Sequence, residues 1–194
     1  MSFFARVTKR ASTPESKNTV IMGRKTYESI PKKFRPLQGR KNLVVTRTDA
    51  TGLQERLRRE LDDQAKKADV TCVTSLRDAV KLLKRSGDSQ SKAFIIGGSQ
   101  MYKTALEETY HGTFTHLRIL QTEIERLDGS SLEIDTFFPA NPKQDGSWRR
   151  AENREVADWV GEEVPQVKSG DGSWKEDGDF KIRTLGWEKE LPFS

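Results

Sequence analysis

Ala93-Phe94-Ile95-Ile96-Gly97-Gly98-Ser99-Gln100-Met101-Tyr102 is the stretch from which the fold of this chain is read. Its apolar opening is too short to span a membrane and too apolar for a surface, so it reads as a fully buried strand. Two glycines end the run, and Met101, Tyr102, Ala105 and Leu106 follow at helical spacing. The backbone therefore turns sharply where a strand delivers its carboxyl end to a helix. Free N–H groups and the helix dipole welcome an anion at such a turn. The same turn also occurs in α/β proteins that bind nothing there, so the case needs a second site.

Upstream, Thr19-Val20-Ile21-Met22 is a second short apolar strand, ending in Gly23 and then Arg24-Lys25-Thr26. The two cations supply charge and the hydroxyl a directed donor, a combination suited to phosphate. The spacing is not that of the nucleotide P-loop, and the chain has no G-x-G-x-x-G fingerprint. The helix beginning here stops at Ile30-Pro31. Lys32, Lys33, Arg35 and Arg40 decorate the loop that follows, punctuated by Pro36 and Gly39. Asn42 to Arg47 is a third strand, with Thr46 and Arg47 at its carboxyl end. Residues 51–69 are charged and helix-prone and read as a solvated insertion. A fourth strand at Val70 to Val73 precedes a helix whose apolar face is Leu76, Ala79, Val80, Leu82 and Leu83. Three or four units of strand then helix imply a mostly parallel sheet with crossover helices.

At the other ends, Phe3, Phe4 and Val7 lie in helical register behind Ser2, which can serve as an N-cap. Residues 116–124 alternate as a further strand, and Asp135-Thr136-Phe137-Phe138-Pro139 is a compact apolar anchor. Residues 141–179 form a polar insertion with Trp148, Val156, Trp159 and Trp174 scattered through it. The last strand falls at 180–188, with a partner near 148–156, which suggests an antiparallel hairpin on an otherwise parallel sheet.

The chain of 194 residues is 34% hydrophobic and 32% charged, against roughly 45–50% and about 25% in ordinary globular proteins. Either long polar insertions dilute a normal core, or part of the core is missing. The formal charge of +5 suits an anionic ligand or a nucleic acid, and is equally an ordinary solubility device. One cysteine, Cys72, excludes an internal disulfide and reads as a buried structural thiol. With His111 and His116 the only histidines, no metal constellation is visible. No membrane span or signal peptide is read, so a cytoplasmic protein is expected.

Four separated motifs in order now carry a resemblance. They are Val20 to Pro31, then Arg35-Pro36-Leu37 with Gly39-Arg40 and Asn42, then Ile95-Ile96-Gly97-Gly98-Ser99 with Tyr102, then Asp135 to Pro139. Together they resemble dihydrofolate reductase, and the long polar inserts resemble its fungal members. The resemblance implies a three-layer α/β domain over 1–194 and NADPH-dependent reduction of dihydrofolate to tetrahydrofolate by a cytoplasmic monomer. It implies that Gly23, Arg24, Lys25 and Thr26 hold cofactor phosphates and that Thr46 with Arg47 takes the 2′-phosphate. Gly97 and Gly98, joined by a cis peptide in the family, with Ser99, Gln100 and Met101, would let the pyrophosphate approach backbone amides. Phe4 would stack on the pterin, the Ile96 carbonyl would meet its exocyclic amine, and Tyr102 would lie near the nicotinamide. Ser29, Ile30 and Leu37 would line the aminobenzoyl channel, Arg40 would grip the glutamate carboxylate, and Thr136 would hydrogen-bond the catalytic acid.

That acid belongs immediately before Met1, so the resemblance also implies an N-terminal truncation that removes the family's first strand, its active-site loop and the carboxylate. Glu15, in a loop, and Glu28, on the next helix, do not replace it. Deleting an internal strand removes burial of roughly 1.5–3 kcal/mol per large side chain, so a poorly folded, nearly inactive chain is expected. A catalytically dead fragment or NADPH-binding module of the same fold is the alternative. Nucleic-acid binding is less favoured, because the cations sit at strand ends without interleaved aromatics.

Overall fold

A computed structural model describes residues 2–60, 69–85, 91–107, 116–164 and 174–191. They gather into two compact units, Met1–Glu108 and Thr109–Ser194. The first contains α1 (Phe3–Lys9), β1 (Thr19–Gly23), α2 (Arg24–Ser29), β2 (Lys41–Val45), α3 (Ala50–Glu60), β3 (Val70–Val73), α4 (Leu76–Arg85), β4 (Ala93–Ile95) and α5 (Ser99–Glu107). Its four strands form one sheet in the order β3-β2-β1-β4, every neighbouring pair parallel. The strand–helix alternation read from the sequence thus produces the parallel sheet it implies.

The two faces of β1 separate by the two-residue period of a strand. Val20 and Met22 pack with Tyr27, Val44, Leu53 and Leu57 in one core. Ile21, 2% exposed, faces the other way. A Cβ built at Gly23, on the face of Ile21, would meet Met101 Cγ at 3.5 Å, so α5 covers that side. Helices therefore flank both faces of the sheet.

Two expectations change here. The solvated insertion over 51–69 does not hold for its first half, because α3 drives Leu53 and Leu57 into the core at 7% and 2% exposure. Their spacing of four places both on one helical face. Gln54 on the same helix donates to the Val70 carbonyl at 3.0 Å and accepts from the Cys72 amide at 2.7 Å, capping the outer edge of β3. Second, β4 is half-buried rather than fully buried, since among the described residues it pairs with β1 alone. Cys72 is also only half-buried, yet burial pushes its thiol up to about 11, which leaves it protonated and inert at neutral pH.

The second unit contains β5 (His116–Arg126), β6 (Arg149–Arg150), α6 (Asn153–Val160), β7 (Lys175–Asp177) and β8 (Phe180–Glu190). Antiparallel pairing appears as expected, but as a sheet of its own in the order β5-β8-β6 with β7 also on β8. β5 and β8 pair over their whole length, from His116 opposite Glu190 to Arg126 opposite Phe180. The expected strand partner at 148–156 shrinks to β6. Beyond it a reciprocal capping box between Glu152 and Glu155 starts α6, which buries Val156 and Val160. The expected polar insertion over 141–179 therefore contains part of this unit's core, Trp148 included. His111 lies outside the described residues.

Gly186 of β8 sits directly beneath α6. A Cβ there would lie 2.5 Å from Val156 Cγ2 and 2.8 Å from Trp159 Cζ3. Gly186→Ala is expected to cost about 1–3 kcal/mol through overpacking, read from urea denaturation. Gly146→Ala, where the new methyl meets nothing within 4 Å, is the control expected to stay within about 0.5 kcal/mol. Equal midpoints for the two variants would show that α6 does not press on the sheet.

Candidate functional site

In the first unit the chain steps outward from β1 to β3 and then returns to the far side of β1 as β4. A reversal of strand order opens a crevice at the carboxyl ends of the two strands that flank it. Those ends are held together here, the Gly23 amide donating to the Gly97 carbonyl at 2.9 Å. α2 leaves this point on the Val20 face and α5 on the opposite one. Gly97 has φ +117°, a conformation that side chains rarely adopt. A Cβ on Gly98 would approach Thr26 Oγ1 to 3.4 Å, and one on Gly97 would lie 3.6 Å from Tyr102 Oη. Both glycines thus keep open a space bounded by the Thr26 hydroxyl and Tyr102. The Met101 and Tyr102 amides close the α5 turn on the Gly98 carbonyl at 2.9 and 3.1 Å. The Gly97–Gly98 peptide is cis, as the resemblance implies, and so is Arg35–Pro36.

Register adds a third strand end to this edge. Gly23 is opposite Val45, so Thr46 and Arg47 emerge beside Arg24 and Lys25. Thr46 is buried, its amide donating to the Val73 carbonyl at 3.0 Å and its hydroxyl 3.3 Å from that of Thr48, whereas Arg47 is exposed. Lys25, Ser99 and Gln100 are exposed and Arg24 partly so. The whole cofactor set read from the sequence therefore converges on one edge of one sheet. Its donors, two glycines with room above them, hydroxyls and cations, fit the phosphates of a dinucleotide.

The substrate set is more dispersed. Phe4 is 46% exposed on α1, while Ile30, Leu37 and Ile96 pack against the main core. Ser29 donates to the Thr26 carbonyl at 2.7 Å, and the Ile96 amide to that of Ile21 at 2.9 Å. Arg40 precedes β2 and so lies at the amino end of the sheet, away from Gly23. It is 5% exposed, donating to Thr8 Oγ1 at 2.7 Å and to the Gln38 carbonyl at 3.2 Å. Asn42 clamps the loop carrying it, accepting from the Leu37 amide and donating to the Leu37 and Arg40 carbonyls. Burial raises the pKa of the half-buried Tyr102 and keeps the phenol neutral. Thr136 belongs to the second unit, in an exposed segment.

Glu28 enters the sequence reading only as a carboxylate that does not replace the catalytic acid; its partners are not read there. Glu28 on α2 accepts from Arg24 Nη1 at 3.2 and 2.9 Å and from Arg56 Nη2 at 2.7 Å. Burial works against its charged form, but the hydrogen bonds from Arg56 and Arg24 outweigh burial and hold the carboxyl below its usual range. The i,i+4 spacing of Arg24 and Glu28 is a legible signal; Arg56 is not, since it arrives from another helix.

Parallel strands flanked by helices, with a crevice at the strand ends where their order reverses, define the class as a three-layer α/β protein. Residues 8–162 match the family model described as dihydrofolate reductase. The chain is 34% identical to the dihydrofolate reductase of Pneumocystis carinii, over 98% of this chain and 84% of that protein. It is likewise 34% identical to the Candida albicans enzyme of that name, over 87% and 77%. Its fold matches Schistosoma mansoni dihydrofolate reductase with a TM-score of 0.65 at 28% identity, covering 98% and 82% of the two chains. The chain belongs to the dihydrofolate reductase family.

Proposed function

We propose that this chain reduces dihydrofolate to tetrahydrofolate with NADPH, as a cytoplasmic monomer serving one-carbon metabolism. The observation that carries the reading is the junction of Gly23 with Gly97, roofed by Thr26 and flanked by Arg24, Lys25 and Arg47. NADPH, when bound, supplies the hydride. Arg24, Lys25 and the Thr26 hydroxyl hold its phosphates together with the amides of residues 97–100, Met101 closing the turn behind them, and Thr46 with Arg47 takes the 2′-phosphate. Tyr102 and Gly97 border the space for the nicotinamide. Phe4 stacks on the pterin, the Ile96 carbonyl accepts from its exocyclic amine, Ser29, Ile30 and Leu37 line the aminobenzoyl channel, and Arg40 holds the glutamate. Holding two ligands in line supplies much of the rate by proximity alone.

The test is NADPH consumption with dihydrofolate, alongside NADPH binding by calorimetry. Turnover supports the full reading, binding without turnover identifies the binding module, and no binding removes both. Cofactor choice gives a sharper prediction. A guanidinium on a phosphate is worth about 1.5–3 kcal/mol, so Arg47→Ala is expected to weaken NADPH roughly 10- to 100-fold and to leave NADH within about twofold. Equal losses for the two cofactors would take Arg47 out of that role.

A further inference from the structure

We propose that Glu28 sets the affinity for the anionic cofactor by competing with its phosphate for Arg24, an inference that rests on the assignment of Arg24 to that phosphate. Arg24 gives one guanidinium nitrogen to both oxygens of Glu28, and the two side chains are 41% and 32% exposed. The pair is thus neither buried nor locked, and a phosphate reaching Arg24 meets a guanidinium already shared with a carboxylate. Two negative groups on one cation repel at contact range, and in a partly solvated setting that repulsion is modest.

What keeps Glu28 in place is a second cation. Arg56 of α3 donates to it at 2.7 Å, Arg56 Nε lies 3.8 Å from Glu60, and Glu60 lies 3.9 Å from Arg35. Arg35 in turn donates to the Glu28 carbonyl at 2.8 Å and stacks over the Tyr27 ring at 5.6 Å. With Arg56 as an alternative partner, Glu28 remains compensated when Arg24 turns to the ligand. The charge chain therefore stabilises α2 and α3 with or without ligand, while its first link loosens cofactor binding. Affinity is held below what the cations alone would give, which favours release of the spent cofactor.

Glu28→Gln keeps the size and shape of the side chain and removes its charge, one of its two acceptor oxygens becoming an amide nitrogen that cannot accept from a guanidinium. Calorimetric titration of the full chain with NADPH is expected to show a Kd lowered about three- to fivefold, with the gain shrinking at high salt. Glu28→Asp, which keeps the charge, is expected to bind as the parent does. Glu60→Gln breaks the same charge chain away from Arg24 and is expected to leave the Kd within about twofold; thermal melts report any loss of fold in each variant. An unchanged or raised Kd in Glu28→Gln overturns the proposal, as does an equal gain in Glu60→Gln. Arg24→Gln separates the two levels. If it fails to weaken NADPH, the phosphate assignment falls. If it weakens NADPH while Glu28→Gln gives no gain in the parent, only the competition falls. In the Arg24→Gln background the effect of Glu28→Gln is expected to vanish, and its persistence would count against the proposal.

Discussion

Gly97→Ala is expected to bind NADPH roughly 10- to 100-fold more weakly than the parent, because a turn that relaxes forfeits amide hydrogen bonds to a charged phosphate worth about 1.5–3 kcal/mol. The cause is conformational rather than steric crowding. At φ +117° an alanine is strained, whereas its methyl would find Tyr102 Oη no nearer than 3.6 Å. The backbone must either hold a sparsely populated state, at about 1–3 kcal/mol, or relax and carry the amides of the following residues with it. The Gly23–Gly97 hydrogen bond that joins the two strand ends lies on the path of that relaxation. Gly146→Ala, outside the proposed site and with nothing within 4 Å of its new methyl, is the control. Calorimetry with NADPH and urea denaturation read the two effects separately. Parent-like affinity in Gly97→Ala would remove the glycine turn from the phosphate site.

Leu57→Ala tests the core under α3 and is expected to destabilise the chain by about 2–5 kcal/mol. Leu57 is 2% exposed and packs in the cluster of Val20, Met22, Tyr27, Val44 and Leu53. The truncation leaves a cavity between helix and sheet that two rigid layers cannot close, and the loss is a large part of a typical total stability of about 5–15 kcal/mol. A solvated helix in the same place would lose less than about 0.5 kcal/mol. The urea midpoint distinguishes the two, and a small shift would restore the reading of 51–69 as a polar insertion.

The contrast between α3 and β1 shows which features are legible in one dimension. A central parallel strand is buried on both faces, so 19–22 reads as an unbroken apolar run ending in glycine. α3 needs only one narrow apolar stripe, and Leu53 with Leu57 supplies it amid arginines and glutamates that dominate the composition of the segment. Its pattern is present but faint. The same holds for 148–156, where β-favouring Trp and Val residues suggested a strand. The Glu152–Glu155 capping box and the left-handed Gly161 at φ +72° decide for a helix.

The glycine turns, the cations after each strand and the hydroxyls beside them are properties of residue order, and local chemistry alone makes the turns at Gly23 to Thr26, at Thr46 and Arg47 and at Gly97 and Gly98 suited to an anion; that they serve one cofactor, with Ser99, Gln100 and Met101, is what the resemblance implies. That these segments are neighbours is a property of strand order. Nothing local says that β4 inserts beside β1 rather than beyond β3, yet this placement joins Gly23 to Gly97 and opens the crevice. It likewise leaves β4 at the end of the sheet among the described residues and therefore half-buried, against the expectation drawn from its apolar run. Glu28 makes the same point for charge. Its carboxylate could be read from the sequence as a partner of Arg24 four residues away, but Arg56, 28 residues on, reaches it only because α3 packs beside α2. Short-range spacing sets what each turn can bind; long-range packing sets which turns share a ligand and which charges they must share it with.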